Sequence, residues 1–109
     1  MWNFSVPYPL KHFIDVVTLA GENWSWSKAE GYKSLLSGKK AVLISASAGD
    51  YGPGDMSDFQ KPYLRRWLNF IGIIDIHEIS VAPTLTDPEA LALTKCKAKA
   101  AAVKFAATF

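Results

Sequence analysis

Two short apolar segments, separated by a helical pattern, restrict the folds open to this chain more than any other feature. Residues 39–49 have the sequence K-K-A-V-L-I-S-A-S-A-G, with apolar side chains at every position from Ala41 to Ile44. Consecutive apolar residues are typical of a strand that is covered on both faces, as in a parallel sheet. Residues 73–81, I-I-D-I-H-E-I-S-V, predict a second strand.

Helical patterns precede and separate these strands. The first helix should end at Gly21, and its apolar stripe consists of Leu10, Phe13, Ile14, Val17 and Ala20. Residues 22–38 are aromatic and are predicted to be irregular. The second helix should stop at Gly72, after Tyr63, Leu64, Trp67, Leu68 and Ile71. Two signals compete for its start: a capping box from Ser57 to Gln60, and Pro62, which suits a first helical turn.

A third helix follows the second strand. The stretch T-D-P-E at residues 86–89 is a start signal, and the predicted inner face of this helix consists of Leu93, Cys96, Ala100 and Val103. The order is therefore loop, helix, strand, helix, strand, helix, which indicates an α/β fold with a doubly wound parallel sheet. Two strands cannot form such a sheet alone, because their edges and faces would lack partners. We therefore expect residues 1–109 to be a single partial domain, the second half of that fold.

Composition argues against several functions. The net charge of +2 is small, and the densest basic stretch, around Lys95 to Lys104, is best explained as a solvated helix face, so we predict no nucleic-acid partner. Cys96 is the only cysteine, which rules out an internal disulfide and favours a reducing, cytoplasmic location. No apolar run is long enough to cross a membrane. His12 and His77 have no further ligands at metal-binding spacing, so no metal site is predicted.

Two loops are the candidate ligand-binding segments. In open α/β sheets, ligands bind beyond the carboxyl ends of the strands. The loop after the first strand, from Ser45 to Gly49, consists of small residues with backbone N–H groups available. The chain begins M-W-N-F-S-V-P, which resembles a loop that follows a strand the chain does not contain. We expect both loops to border one crevice.

Several motifs in this order resemble the C-terminal half of the FMN-dependent NADH-azoreductases. They are M-W-N-F-S-V-P, E-N-W-S-W, L-L-S-G-K-K-A-V-L-I-S and P-Y-L-x-x-W-L-x-F-I-G-I, and together they cover nearly the whole chain. The resemblance implies a flavodoxin-like fold and a homodimer with FMN at its interface. It also implies two-step reduction of quinones and azo compounds by NADH or NADPH through the flavin.

Site residues follow from the same resemblance. It implies that Met1, Trp2, Asn3 and Phe4 line the isoalloxazine ring, and that Trp26 and Phe70 form walls of the substrate pocket. None of these would be a catalytic acid or base, because the flavin carries the hydride chemistry. The family's second flavin loop, S-R-G-G, falls on Ala46, Ser47, Ala48 and Gly49. Here serine replaces the arginine, which removes a charged donor. Alanine replaces the first glycine and should resist a positive φ.

Other interpretations stay open at this level. Trp2, Phe4 and Phe70 could be core aromatics, and residues 48–54 could be a plain connection. Trp24 and Trp26 fit a short strand with both rings on one face, in a core or a dimer contact. An alternative function is a non-catalytic flavodoxin-like dimerisation or binding module that has lost the flavin. Because the phosphate-binding half is missing, we expect the chain alone to bind FMN weakly or not at all and to be inactive.

Overall fold

The computed structural model describes all residues from 1 to 109 as an α/β chain with two small sheets. Three helices and four strands follow one another along the chain. In order they are α1 (Tyr8–Val17), β1 (Trp24–Ser27), β2 (Gly31–Ser34), β3 (Lys40–Ala46), α2 (Gln60–Ile71), β4 (Asp75–Val81) and α3 (Pro88–Ala106).

Strands β3 and β4 form the parallel pair that the apolar segments predict. Their register runs from Lys40 opposite Asp75 to Ala46 opposite Val81, and α2 provides the crossover between them. Parallel strands need such a crossover because the end of one strand and the start of the next lie at opposite ends of the sheet. The carboxyl ends of both strands therefore lie at the same end of the sheet. The loop at residues 47–59 follows β3 there, and the segment that leads into α3 follows β4.

Helix α2 is capped by an aspartate side chain at its start and ends at a glycine. Gly72 ends the helix in the left-handed region with φ of 103°, as predicted. The predicted capping box does not form, because the Gln60 backbone N–H, from which the Ser57 hydroxyl would accept, donates to Asp58 instead. Asp58 performs the capping, since its Oδ1 accepts from the backbone N–H groups of Gln60 at 2.9 Å and Lys61 at 3.1 Å. Pro62 lies in the first turn, as predicted.

Helix α1 ends earlier than Gly21. Its last residue is Val17, and the side-chain amide of Asn23 donates to the Val17 carbonyl at 2.6 Å, which satisfies a group that a longer helix would have used. The predicted apolar face of this helix is also partly wrong, because Phe13 is exposed. Residues 22–38 are not irregular: β1 and β2 form an antiparallel hairpin in which Trp26 lies opposite Tyr32.

Helix α3 begins where the sequence predicts but presents a different face. Asp87 is the N-cap and accepts from the Ala90 backbone N–H at 2.9 Å. The predicted inner residues Leu93, Cys96, Ala100 and Val103 are exposed. The helix instead covers β4 with Ala98, which is buried, and with Phe105, whose ring contacts that of His77 at 4.4 Å.

The chain buries little of its apolar surface. Only 7 of 109 residues are buried, so the core is small for this length. The radius of gyration is 16.2 Å, whereas a compact domain of this length has about 13 Å. The expectation that both faces of β3 are covered is therefore wrong at Ile44, which is 72% exposed because no element of this chain lies over it. No helix combines the length and apolar character needed to cross a bilayer.

Candidate functional site

The first residues of the chain form a tight two-residue turn. Trp2 and Ser5 exchange backbone hydrogen bonds of 3.1 and 2.9 Å, and Asn3 and Phe4 between them have φ of 46° and 66°. Two positive φ values are the requirement of a type I′ turn, which favours glycine and asparagine. Phenylalanine at such a position is strained by roughly 1–3 kcal/mol, so surrounding contacts must hold it.

Those contacts come from the start of α2 and from the end of β3. The Phe59 backbone N–H donates to the Phe4 carbonyl at 3.0 Å, and the Gln60 side chain donates to the Ser5 carbonyl at 3.3 Å. The amino group of Met1 donates to the carbonyl of Ala46, the last residue of β3. The turn is thus fixed at the carboxyl edge of the parallel sheet, where the sequence predicts a ligand site.

The loop after β3 is anchored by the segment after β4. Thr84 donates through its backbone N–H and its hydroxyl to the Ser47 carbonyl, at 2.9 and 3.0 Å, and Leu85 N–H donates to the Ala48 carbonyl at 3.2 Å. Ala48 does not adopt a positive φ, so alanine is not strained there. At Gly49 a Cβ would lie 3.3 Å from the Tyr51 ring, so close packing favours glycine.

The two loops meet, and they present unused donors. The Met1–Ala46 contact joins them. The backbone N–H groups of Asn3, Phe4, Ala48 and Gly49 donate to no backbone carbonyl of the chain. Trp2 and Phe4 are 67% and 54% exposed, so two flat apolar rings stand beside these donors.

The predicted substrate-pocket residues lie in a second region, at the hairpin. Phe70 of α2 packs against Trp24 at 5.5 Å and Tyr32 at 5.9 Å between ring centroids, and Trp24 packs against Tyr32 at 5.6 Å. Trp26 lies outside this cluster and is 59% exposed. Neither Trp26 nor Phe70 makes a ring contact or hydrogen bond with residues 1–5 or 46–49. The chain alone therefore does not bring its two groups of predicted site residues together.

Several contributors were absent from the sequence-based site. Tyr32 belongs to the aromatic cluster, and only the unrecognised hairpin register could have placed it there. Asp58, Phe59 and Gln60 support the opening turn. The capping box included this segment but assigned the cap to the wrong residue. A wide cavity of about 920 Å³ is lined by Asp58 and Phe59 of this segment and by other residues that include Asp55, Arg65 and Glu78, and it contains none of the predicted residues.

The Asp58 carboxylate is the main electrostatic feature next to the turn. It is 7% exposed, and Lys61 lies 3.0 Å from its Oδ2 and also donates to the Tyr51 carbonyl. Burial alone would raise the pKa of Asp58. The hydrogen bonds from the Lys61 side chain and from the Lys61 and Gln60 backbone outweigh burial, so the pKa lies below 3.8.

We expect an acid-dependent loss of stability from this group. A carboxyl with a lowered native pKa binds fewer protons folded than unfolded, so its contribution is complete well above pH 3.8 and falls as pH drops through the native pKa. Urea unfolding of the wild type and of Asp58→Asn should therefore differ most near neutral pH and converge as the pH falls below 3.8. A difference that grows on acidification would contradict this assignment.

Comparison with known proteins places the chain in a family. A family profile described as flavodoxin-like fold matches residues 1–104. An FMN-dependent NADH:quinone oxidoreductase of Desulfotalea psychrophila is 44% identical over an alignment of 108 positions that covers 97% of this chain and 51% of that protein. A protein of the same name from Hyphomonas neptunium is 43% identical over an alignment of 111 positions that covers 100% of this chain and 53% of that one.

Solved structures agree with these relatives. The FMN-dependent NADH-azoreductase of Bacillus anthracis, in complex with FMN, superimposes with a TM-score of 0.79 at 28% identity, over 94% of this chain and 51% of that one. A second azoreductase of Bacillus anthracis matches the fold, with a TM-score of 0.88 at 24% identity over 99% of this chain and 52% of that one. The chain spans about half the length of these proteins. The chain belongs to the flavodoxin-like family that includes the FMN-dependent NADH:quinone oxidoreductases and azoreductases.

Proposed function

We propose that this chain is half of an FMN-dependent oxidoreductase that reduces quinones and azo compounds with NADH or NADPH. The observation that carries the proposal is the opening turn, where two exposed rings and unused backbone donors lie at the carboxyl edge of a parallel sheet. The named relatives are enzymes, so the non-catalytic alternative is not favoured. We propose the cytoplasm as the location, which suits a chain whose only cysteine is free.

The residues of the two loops fit an isoalloxazine ring. Its flat, apolar face suits the rings of Trp2 and Phe4 and the thioether of Met1. Its polar edge carries carbonyl oxygens and ring nitrogens, which can accept from the free N–H groups of Asn3, Phe4, Ala48 and Gly49. Ser47 cannot supply the charge of an arginine, and its hydroxyl is used within the loop, donating to the Gly49 carbonyl at 2.8 Å. Binding therefore depends on backbone donors.

The protein's role in the proposed reaction is to bind and orient. When bound, FMN would supply the hydride chemistry, as acceptor from the nicotinamide and as donor to the quinone or azo compound. Trp26 and Phe70 would provide flat walls for these planar substrates. No acid or base from this chain is required at the ring, and none of the predicted site residues is ionisable.

We propose that a further half-domain completes the site. The free edge of β3, the 72% exposed Ile44 and a groove of about 450 Å³ mark where its strand and helix would pack. The groove is wholly apolar and is lined by Val42, Ile44, Ile79, Ala102, Phe105, Ala106 and Phe109. The Met1–Ala46 contact lies at the carboxyl end of β3, so a strand that precedes Met1 would run alongside β3. The flavin phosphate would bind in that half, at a loop and helix N-terminus.

We further propose that the complete protein is a homodimer whose partner approaches the hairpin. Trp26 and Tyr32 lie opposite each other on β1 and β2 and are 59% and 69% exposed. Adjacent exposed aromatics are enriched at protein interfaces. A partner on this face would bring Trp26 to a flavin site that its own chain does not reach.

The test uses an extended chain, defined as these 109 residues joined at Met1 to the N-terminal half of the Desulfotalea psychrophila relative. We expect the extended chain to purify yellow, to sediment as a dimer and to oxidise NADH when a quinone is supplied. The 109-residue chain should bind FMN weakly or not at all. A folded extended chain that does not retain FMN would refute the proposed function.

A matched pair of variants tests the turn directly. In the extended chain, Trp2→Ala should weaken FMN binding by about tenfold, because a stacking contact is worth up to about 1.5 kcal/mol. Tyr8→Ala removes an aromatic side chain that is 85% exposed and lies six positions further along, outside the proposed site. FMN fluorescence titration should detect no change in this control. Equal losses in both variants would remove Trp2 from the site.

A further inference from the structure

The opening turn depends on contacts that residues outside it provide. Its positive φ is tolerated by Asn3 but is unfavourable for the bulky side chain of Phe4. The turn's own pair of hydrogen bonds closes it, but these bonds do not fix its direction relative to the sheet. Two contacts do so from one neighbouring segment: Phe59 N–H to the Phe4 carbonyl, and the Gln60 side chain to the Ser5 carbonyl.

Phe59 and Gln60 are in turn held by the residue that precedes them. Phe59 is the N-cap position of α2, but its side chain makes no capping hydrogen bond. The Asp58 carboxylate replaces it by accepting from the backbone of Gln60 and Lys61 with one oxygen and pairing with the Lys61 ammonium through the other. Lys61 also donates to the Tyr51 carbonyl at 2.9 Å, which ties the preceding loop to the same point.

We propose that Asp58 is a positioning residue for the flavin-facing turn, acting through Phe59 and Gln60 and making no contact with the ligand itself. A buried carboxylate with three donors on it fixes the backbone at residues 58–61. The Phe59 N–H then points to the Phe4 carbonyl, and the Gln60 side chain reaches Ser5. Loss of the Oδ1 acceptor, as in Asp58→Ala, would free this backbone and allow the turn that holds the strained Phe4 to move. This inference rests on the proposed function for its ligand but not for its geometry.

Hydrogen exchange on the flavin-free 109-residue chain tests the geometry. In Asp58→Ala, the amides of Ser5 and Phe59 should exchange about tenfold faster, because a lost cap weakens the local structure that protects them. Amides in β3 and β4 should be unchanged. Asp58→Asn keeps the Oδ1 acceptor and should restore most of the protection. Gln60→Leu, which removes only the Ser5 contact, should give a smaller increase.

The matched control is Asp87→Ala. Asp87 caps α3 with a single bond to Ala90 N–H at 2.9 Å, and α3 contributes nothing to the turn. This variant should accelerate exchange only in the first turn of α3. If the wild-type amides of Ser5 and Phe59 are already unprotected, or if Asp58→Ala leaves them protected, the proposal is wrong.

A second readout tests the ligand side in the extended chain. Asp58→Ala should weaken FMN binding by about tenfold and shift the flavin absorption maximum, since a mobile turn alters the ring's surroundings. Asp58→Asn should retain wild-type values, and Asp87→Ala should change neither. If the wild-type extended chain binds no FMN, the proposed function fails while the exchange result still decides the role of Asp58. If Asp58→Ala alters exchange but not FMN affinity or absorption, the carboxylate is structural only and the proposal is refuted.

Discussion

Replacing Gly72 with alanine should lower the free energy of unfolding by about 3 kcal/mol or more. Gly72 has φ of 103°, where an L-residue is strained, and it ends α2 by donating to the carbonyls of Leu68 and Asn69. A Cβ there would also collide with the Leu36 carbonyl oxygen and lie 3.2 Å from the Ser34 Cβ. Both clashing groups belong to backbone or to the adjoining hairpin strand, so they cannot rotate away.

Two other glycines distinguish the cost of a positive φ from the cost of the steric clash at Gly72. Gly54 has φ of 82° but nothing within 4 Å of the position that an added Cβ would take, so Gly54→Ala reports the φ penalty alone. Gly52 has neither constraint, so Gly52→Ala should be nearly neutral. Urea unfolding of the three variants should give the order Gly72→Ala, then Gly54→Ala, then Gly52→Ala, from most to least destabilised. Equal effects at 72 and 54 would show that the approach of Leu36 does not matter.

The effect of Ile44→Asp on stability should depend on whether the N-terminal half is present. Ile44→Asp should change the stability of the 109-residue chain by less than about 0.5 kcal/mol, because this side chain is 72% exposed. In the extended chain the same change should cost at least about 3 kcal/mol, because a carboxylate would be buried without a partner between β3 and the added half. Urea unfolding of both proteins measures the difference.

Ile74→Asp is the control for this comparison. Ile74 is 79% exposed in the connection before β4, away from the apolar groove beside β3. We expect it to be nearly neutral in both proteins. Similar costs of Ile44→Asp in the 109-residue and extended chains would mean that nothing packs on this face, which would remove the basis for a missing half.

The sequence predicts those elements whose signals are local and chemically distinctive. Gly72 and Asp87 mark a helix end and a helix start because left-handed φ and side-chain capping restrict the residue type. The consecutive apolar residues of β3 identify a parallel strand, and its pairing with β4 follows from the intervening helix. The position of the loop that follows β3, at the carboxyl end of the parallel pair, follows from the same strand pattern.

Features that depend on distant contacts could not be predicted in this way. Helix α3 is rich in alanine on every side, so its apolar period does not distinguish the face with Ala98 from the face with Val103. The hairpin is stabilised by Trp24 and Tyr32 packing on Phe70, which lies far along the chain. The capping role of Asp58 is hidden because a serine stands at the conventional position one residue earlier. The role of each of these residues depends on its partner in space.

The unpaired edge of β3 has a consequence for handling the protein. An open strand beside exposed apolar residues is a template for any extended peptide, including the same strand of another molecule. Lys40 is the only charged residue in β3, and it lies at the first position of the strand. Its charge therefore opposes pairing with another chain at one end of the strand only. Self-association of the 109-residue chain through this edge should therefore increase with protein concentration, and the extended chain, in which the proposed half-domain covers the edge, should aggregate less.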